Sequence, residues 1–139
     1  MNAALPESAH PWLREVHSAL GLSEAEHRQC LTQAGMLMGD VPILWTCTLT
    51  GDASQLMAQA VVGQVGDTAQ AAPVLEAVLH TQLLLCGPAM PVFGLDTASR
   101  SLMLMQVFSI DHTRAEDAAA LLRALQRIAV DSRAVLPGA

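Results

Sequence analysis

Apolar positions recur every four residues from Trp12 through Val16 to Leu20, with Leu13 beside them. Pro11 ahead of this stripe suits a first helical turn and Gly21 can stop it, which predicts a short amphipathic helix over 11–20. The residues through Ala9 read as a loose N-terminus. Ser23 and Glu26 have capping-box spacing, and Gly35-Met-Leu-Met-Gly39 is an apolar run between breakers, so a short helical turn is expected before a strand near 33–39. From Ile43 the period becomes two. Ile43, Trp45, Cys47 and Leu49 fall on one side and Leu44, Thr46, Thr48 and Thr50 on the other, the pattern of a half-buried strand. Gly51-Asp52 marks a turn, and Leu56, Ala58, Ala60 and Val62 then alternate with Met57, Gln59 and Val61 until Gly63 and Gly66 end the partner strand.

Pro73 belongs in a first helical turn, which predicts a helix from about 70–73 to Cys86, where Gly87-Pro88 stops it. Its apolar residues, among them Val74, Leu75, Val78, Leu79, Leu83 and Cys86, cover more than one face and leave Glu76 and His80 on a polar stripe. Val92 to Asp96 and Leu102 to Ile110 flank a turn at Thr97–Arg100. In the second of these strands Leu102, Leu104, Phe108 and Ile110 alternate with Met103, Met105 and Val107, so both faces are apolar and both are expected to be covered. Thr113 and Glu116 have capping-box spacing ahead of a long 3.6-residue pattern in which Ala118, Leu121, Leu122, Leu125, Ile128 and Ala129 line one side. Pro137-Gly138 ends it. The order is α-β-β-β-α-β-β-α, an α+β fold with three helices on an antiparallel sheet of about five strands.

A chain of 139 residues fits one domain, 1–139. Apolar residues make up 52% and charged ones 14%, which excludes disorder and leaves more apolar material than one small domain can hide. The net charge of -6, with seven arginines scattered from Arg14 to Arg133 and no lysine, argues against nucleic-acid and membrane-surface partners. The first twenty residues carry Glu7, Arg14 and Glu15, unlike a signal or spanning segment, so a cytosolic protein is expected. Cys30, Cys47 and Cys86 are odd in number and far apart, and read as reduced core residues.

Chemistry is sparse. Without lysine there is no P-loop, and no H-E-x-x-H or G-x-S-x-G occurs. His10 and His17, seven apart, lie about 10 Å from each other along a helix and cannot grip one ion alone; they read as surface histidines. Glu76 and His80 read as a solvated i, i+4 pair. Cys86 would meet the negative end of a helix dipole, which disfavours its thiolate. Asp96 and Asp111 sit where aspartates close turns. No catalytic residue, metal ligand or cofactor follows from these positions. The methionines at 36, 38, 57, 103 and 105 can fill gaps in a core or accommodate varied apolar partners. Trp12 reads either as a staple onto the sheet or as the lining of an exposed groove, with the groove favoured.

Trp12-Leu-Arg-Glu-Val-His-Ser-Ala-Leu-Gly-Leu22, Leu83-Leu-Leu85 before Gly87, Leu95-Asp96 and Ser101-Leu-Met-Leu104, in this order, resemble the class I chaperones of bacterial type III secretion, the family that includes the Tir chaperone. The likeness covers about residues 11–135. It implies a cytoplasmic bacterial homodimer that binds the extended N-terminal segment of a secreted effector and keeps it secretion-competent, without ATP, cofactor or catalysis; the secretion apparatus joins the implied partners. On that likeness Trp12, Leu13, Val16, Leu20, Met36, Met38 and Leu44 are expected to bind the effector, by strand addition and side-chain pockets. Leu75, Val78, Leu79, Leu83, Leu102, Leu104 and Phe108 are expected at the two-fold interface. Two other readings compete: an α+β scaffold or adaptor subunit for a folded partner, and a small-ligand site built from His17, His80 and Cys86.

Overall fold

The period-two segments pair as one five-stranded antiparallel sheet in a computed structural model that describes residues 4–48 and 50–138. Its strands are β1 (Gly35–Met38), β2 (Val41–Cys47), β3 (Gln55–Gln64), β4 (Val92–Asp96) and β5 (Ser101–Ser109), in spatial order β1-β2-β3-β5-β4. Ile43 opposes Ala60, Trp45 opposes Ala58, and across the next ladder Ala60 opposes Leu104 and Leu56 opposes Phe108. Because side chains alternate, this register places all seven residues on one face, and all are buried.

Four helices accompany the sheet: α1 (His10–Ala19), α2 (Glu24–Gln33), α3 (Thr68–Leu84) and α4 (Ala115–Ser132). Every strand residue in the hydrophobic core comes from the same face, where Leu13, Val16, Val74, Val78, Leu122 and Leu125 of the helices meet it. Trp12 fastens α1 to this arrangement. Its indole N–H donates to the Thr113 carbonyl at 2.9 Å, and its ring stands edge-on to Trp45 with centroids 6.0 Å apart. Trp12 is thus the staple, and the exposed groove expected around it is not there.

Several local expectations change. Instead of a short turn, α2 is a full ten-residue helix, started by the reciprocal Ser23–Glu26 capping box and ended by Ala34 in the left-handed region (φ 51°). α3 begins before the position set by Pro73, because Asp67 and Gln70 form a capping box that starts the helix at Thr68; Pro73 then sits in the second turn, where it supplies no helical N–H. The Thr113–Glu116 box does not form. Arg114 occupies the cap of α4 without a side-chain hydrogen bond, and its guanidinium lies 3.7 Å and 3.6 Å from the Glu116 and Asp117 carboxylates. The stretch before α1 is not loose throughout, since Leu5 and Ala9 are buried in the core. Cys30 is buried, but Cys47 and Cys86 are exposed. Leu49 lies outside the described residues.

Candidate protein-interaction surfaces

The side chains that could carry chemistry do not converge. His80 and Glu76 are exposed on α3, whereas His17 is buried at the junction of α1 and α2, where it meets His27 and neither His80 nor Cys86. Burial pushes the Cys30 thiol up, away from a reactive thiolate. Asp96 accepts hydrogen bonds from the Ser99 hydroxyl (2.7 Å) and the Ala98 N–H (3.2 Å), which hold its carboxyl below the usual range; it closes the β4–β5 turn. Among the described residues no group of three His, Cys, Asp or Glu is placed to hold a metal ion.

Apolar surface is the alternative currency, and α3 presents the first such patch. Ala71, Val74 and Val78 turn into the core, and the opposite side leaves Leu79, Leu83 and Leu84 71%, 73% and 74% exposed. A helix apolar nearly all round is normally covered all round. Between α3 and β4 lies a cleft of about 220 Å³ lined by Leu75, Leu79, Phe93 and Leu95. Gln82 fixes its shape, because its Oε1 accepts the Phe93 N–H at 2.8 Å and ties the helix to the strand. Val92 and Met90 carry the exposed apolar surface onto β4 and the loop before it.

The second patch is the sheet face turned away from the core. Leu44, Met57, Val61, Met103, Met105 and Val107 alternate with the core residues, and none of them belongs to the core cluster. Among the described residues no helix packs on this face. Val107 is half exposed, and a cleft of about 350 Å³ opens between Leu44, Gln59, Met103 and Met105. At the β1 edge Leu37, opposite Pro42 and so on the same face, is 68% exposed. β1 pairs only with β2, which leaves its outer backbone edge unpaired and open to an added strand.

These positions redistribute the expected interaction residues. Of the expected effector-binding set, Trp12, Leu13 and Val16 are interior because the helical stripe faces the sheet, and Leu20, Met36 and Met38 are half-buried against the core; Leu44 alone stands on the open face. Of the expected dimer set, Leu79 and Leu83 point outward and Leu75 lines the cleft, while Val78, Leu102, Leu104 and Phe108 are core. The exposed large apolar residues absent from the expected sets are Leu37, Leu84, Met90, Val92, Val107 and Val130. For Val107 the signal was present, since it alternates with Phe108, but alternation does not say which face the helices cover.

Residues 40–133 match the model of the Tir chaperone protein (CesT) family. No curated protein sequence matches the chain. Among solved structures the chain is similar to that of the ExsC–ExsE complex, with 18% identity over 100% of this chain and 99% of that chain and a TM-score of 0.65. It is similar also to the Yersinia pestis type III secretion chaperone SycH, solved with a stable fragment of YscM2, with 19% identity, 88% and 97% coverage and a TM-score of 0.61. The ExoT–SpcS complex from Pseudomonas aeruginosa gives 14% identity, 90% and 97% coverage and a TM-score of 0.59. At these identities the likeness establishes the fold.

Proposed function

The chain belongs to the Tir chaperone protein (CesT) family, and from that premise we propose that it is a chaperone for a type III secretion effector. It binds an extended N-terminal segment of the effector in the bacterial cytoplasm, as a homodimer, and keeps that segment secretion-competent without ATP, cofactor or catalysis. The observation that carries this reading is the pair of separate apolar surfaces on one small domain, the outward side of α3 and the open sheet face, beside chemical groups that do not converge. Similar folds solved with ExsE, with ExoT and with a YscM2 fragment support a protein client. Among the described residues no helix is long and apolar enough to cross a membrane.

The α3 side suits the two-fold interface. Leu79, Leu83 and Leu84 lie within two turns of one helix, and burying each would contribute about 1.5–3 kcal/mol. The open face and the β1 edge suit the client. An added strand can take the free backbone edge while its alternate side chains meet Leu37 and Leu44, and client residues beyond that strand can cover the thioethers of Met57, Met103 and Met105, which adapt to varied apolar shapes.

The test is co-expression of the full chain with N-terminal fragments of secreted proteins encoded beside it, followed by size-exclusion chromatography with light scattering. A dimer mass alone and a stable dimer–fragment complex are expected. A strictly monomeric chain, or one that never retains a fragment, overturns the reading.

A further inference from the structure

His17 and His27 form the buried ionisable cluster that neither apolar surface uses. Their Nδ1 atoms are 2.8 Å apart, their ring centroids 5.1 Å apart, and both side chains are shut off from solvent between α1 and α2. A hydrogen bond between two Nδ1 atoms requires one ring to carry its proton there and the other to present a bare lone pair, so the accepting ring is neutral; when the donating ring is neutral too, the pair has opposite tautomers. Both Nε2 atoms are buried without a partner.

We propose that this pair is a proton-operated latch: with both imidazoles neutral it docks α2 and the β1 strand that follows, and on protonation it releases them. The protons can be followed atom by atom. The first added proton goes to the bare Nε2 of the donating ring and leaves a charge in a dry site with two partnerless Nε2–H groups. A second must take the accepting Nδ1, which sets two N–H groups face to face at 2.8 Å and abolishes the bond.

α2 has little else to hold it. Of its ten residues only His27 and Cys30 are buried, and Leu31 is half-buried. The Arg14–Glu24 ion pair at 2.9 Å also joins the two helices but is exposed on both sides and adds little. The surroundings give an incoming charge few counter-ions. Arg14 and His10 from α1 and Arg28 from α2 repel it, Glu24 alone attracts it, β1 carries no titratable side chain, and Arg123 of α4 is engaged with the Ala19 carbonyl. Burial, and next the neighbouring imidazole, push His17 down to about 4; burial first, then Arg14, pushes His27 down as well.

Both folded-state values lie below the ordinary 6.5. The docked state is therefore fully favoured above about pH 6.5 and weakens as pH falls toward 4. For His17 alone the lost preference approaches about 300-fold once the pH is well below 4, at close to tenfold for each pH unit inside the window. Because Ala34 accepts the Trp45 N–H at 2.8 Å and β1 follows at once, release of α2 loosens the edge strand it leads into. The effect on a client rests on the chaperone reading; the latch does not.

Hydrogen exchange on the full chain between pH 7.5 and 5.0, corrected for intrinsic exchange, tests this. Amides of residues 24–38 should lose at least tenfold of their protection relative to α4, and the double variant His17→Phe, His27→Leu should lose this pH dependence. Protection that stays flat in the parent, or falls equally in α2 and α4, overturns the proposal. Should the double variant not fold, titration of the imidazole Cε1–H resonances in the parent replaces it. Midpoints below 6 that move with the α2 amide shifts support the latch, and any other pattern overturns it. No fragment is present in either measurement, so failure of the latch and failure of the chaperone reading remain distinguishable.

Discussion

Leu104 and Met103 are consecutive residues of β5, both apolar and both shielded, yet Leu104 points into the core and Met103 into the opposite face. The same division runs through the sheet. On the covered side stand Ile43, Trp45, Leu56 and Phe108, rigid or branched shapes that fix one packing arrangement; on the open side stand Met57, Met103 and Met105 among Leu44, Val61 and Val107. Equal hydrophobicity thus serves two ends. One face specifies the fold, and the other keeps a deformable apolar surface available.

The largest expected effect comes from confusing the two. Leu104→Arg forces an unpaired charge into the core, and the variant should lose more than about 4 kcal/mol of stability or fail to accumulate as soluble protein. Chemical denaturation followed by circular dichroism measures it. A folded Leu104→Arg monomer of near-parent stability would restore the expectation that Leu104 is an interface residue and break the comparison.

Next come substitutions that should leave each protomer folded and separate the two exposed surfaces. Leu83→Arg on α3 should halve the mass in light scattering while changing the protomer's own stability by no more than about 0.5 kcal/mol. Val107→Glu on the open face should keep the dimer mass and weaken fragment retention at least tenfold, measured by calorimetric titration. The reverse assignment of effects would mean that the client sits on α3 and the two-fold axis on the sheet.

What was legible in the sequence explains why these assignments needed the structure. β3 and β5 follow their period-two segments nearly residue for residue, because alternation is a local consequence of the pleat, and β4 matches the segment set off by the turn at Thr97–Arg100. α2 reads only as a short turn in the sequence, since a helix that buries just His27 and Cys30 leaves almost no apolar period to read. The two histidines lie ten residues apart on separate helices, so their pairing depends on how α1 and α2 cross, which neither segment encodes alone. Trp12 reads as a groove residue from its neighbours alone, because its hydrogen-bond acceptor, Thr113, is 101 residues away. The sorting of Leu102, Leu104 and Phe108 into an interface failed for a related reason: on a strand apolar on both sides, nothing local says which side α4 will cover.

The finest version of the comparison uses the same small change at the two edges of the sheet. A Cβ on Gly35 of β1 would lie 2.7 Å from the Ile43 carbonyl oxygen and 3.1 Å from Leu44 Cδ2, so backbone must move; Gly35→Ala should cost about 1–3 kcal/mol. A Cβ on Gly94 of β4 would also meet an atom at 2.7 Å, but that atom is the terminal Cε of Met105, at the end of a flexible side chain on the open face. Gly94→Ala should therefore change stability by no more than about 0.5 kcal/mol, read from denaturation midpoints side by side. Equal costs at the two edges would mean that Met105 is held as firmly as backbone, and that the open face is rigid rather than adaptable.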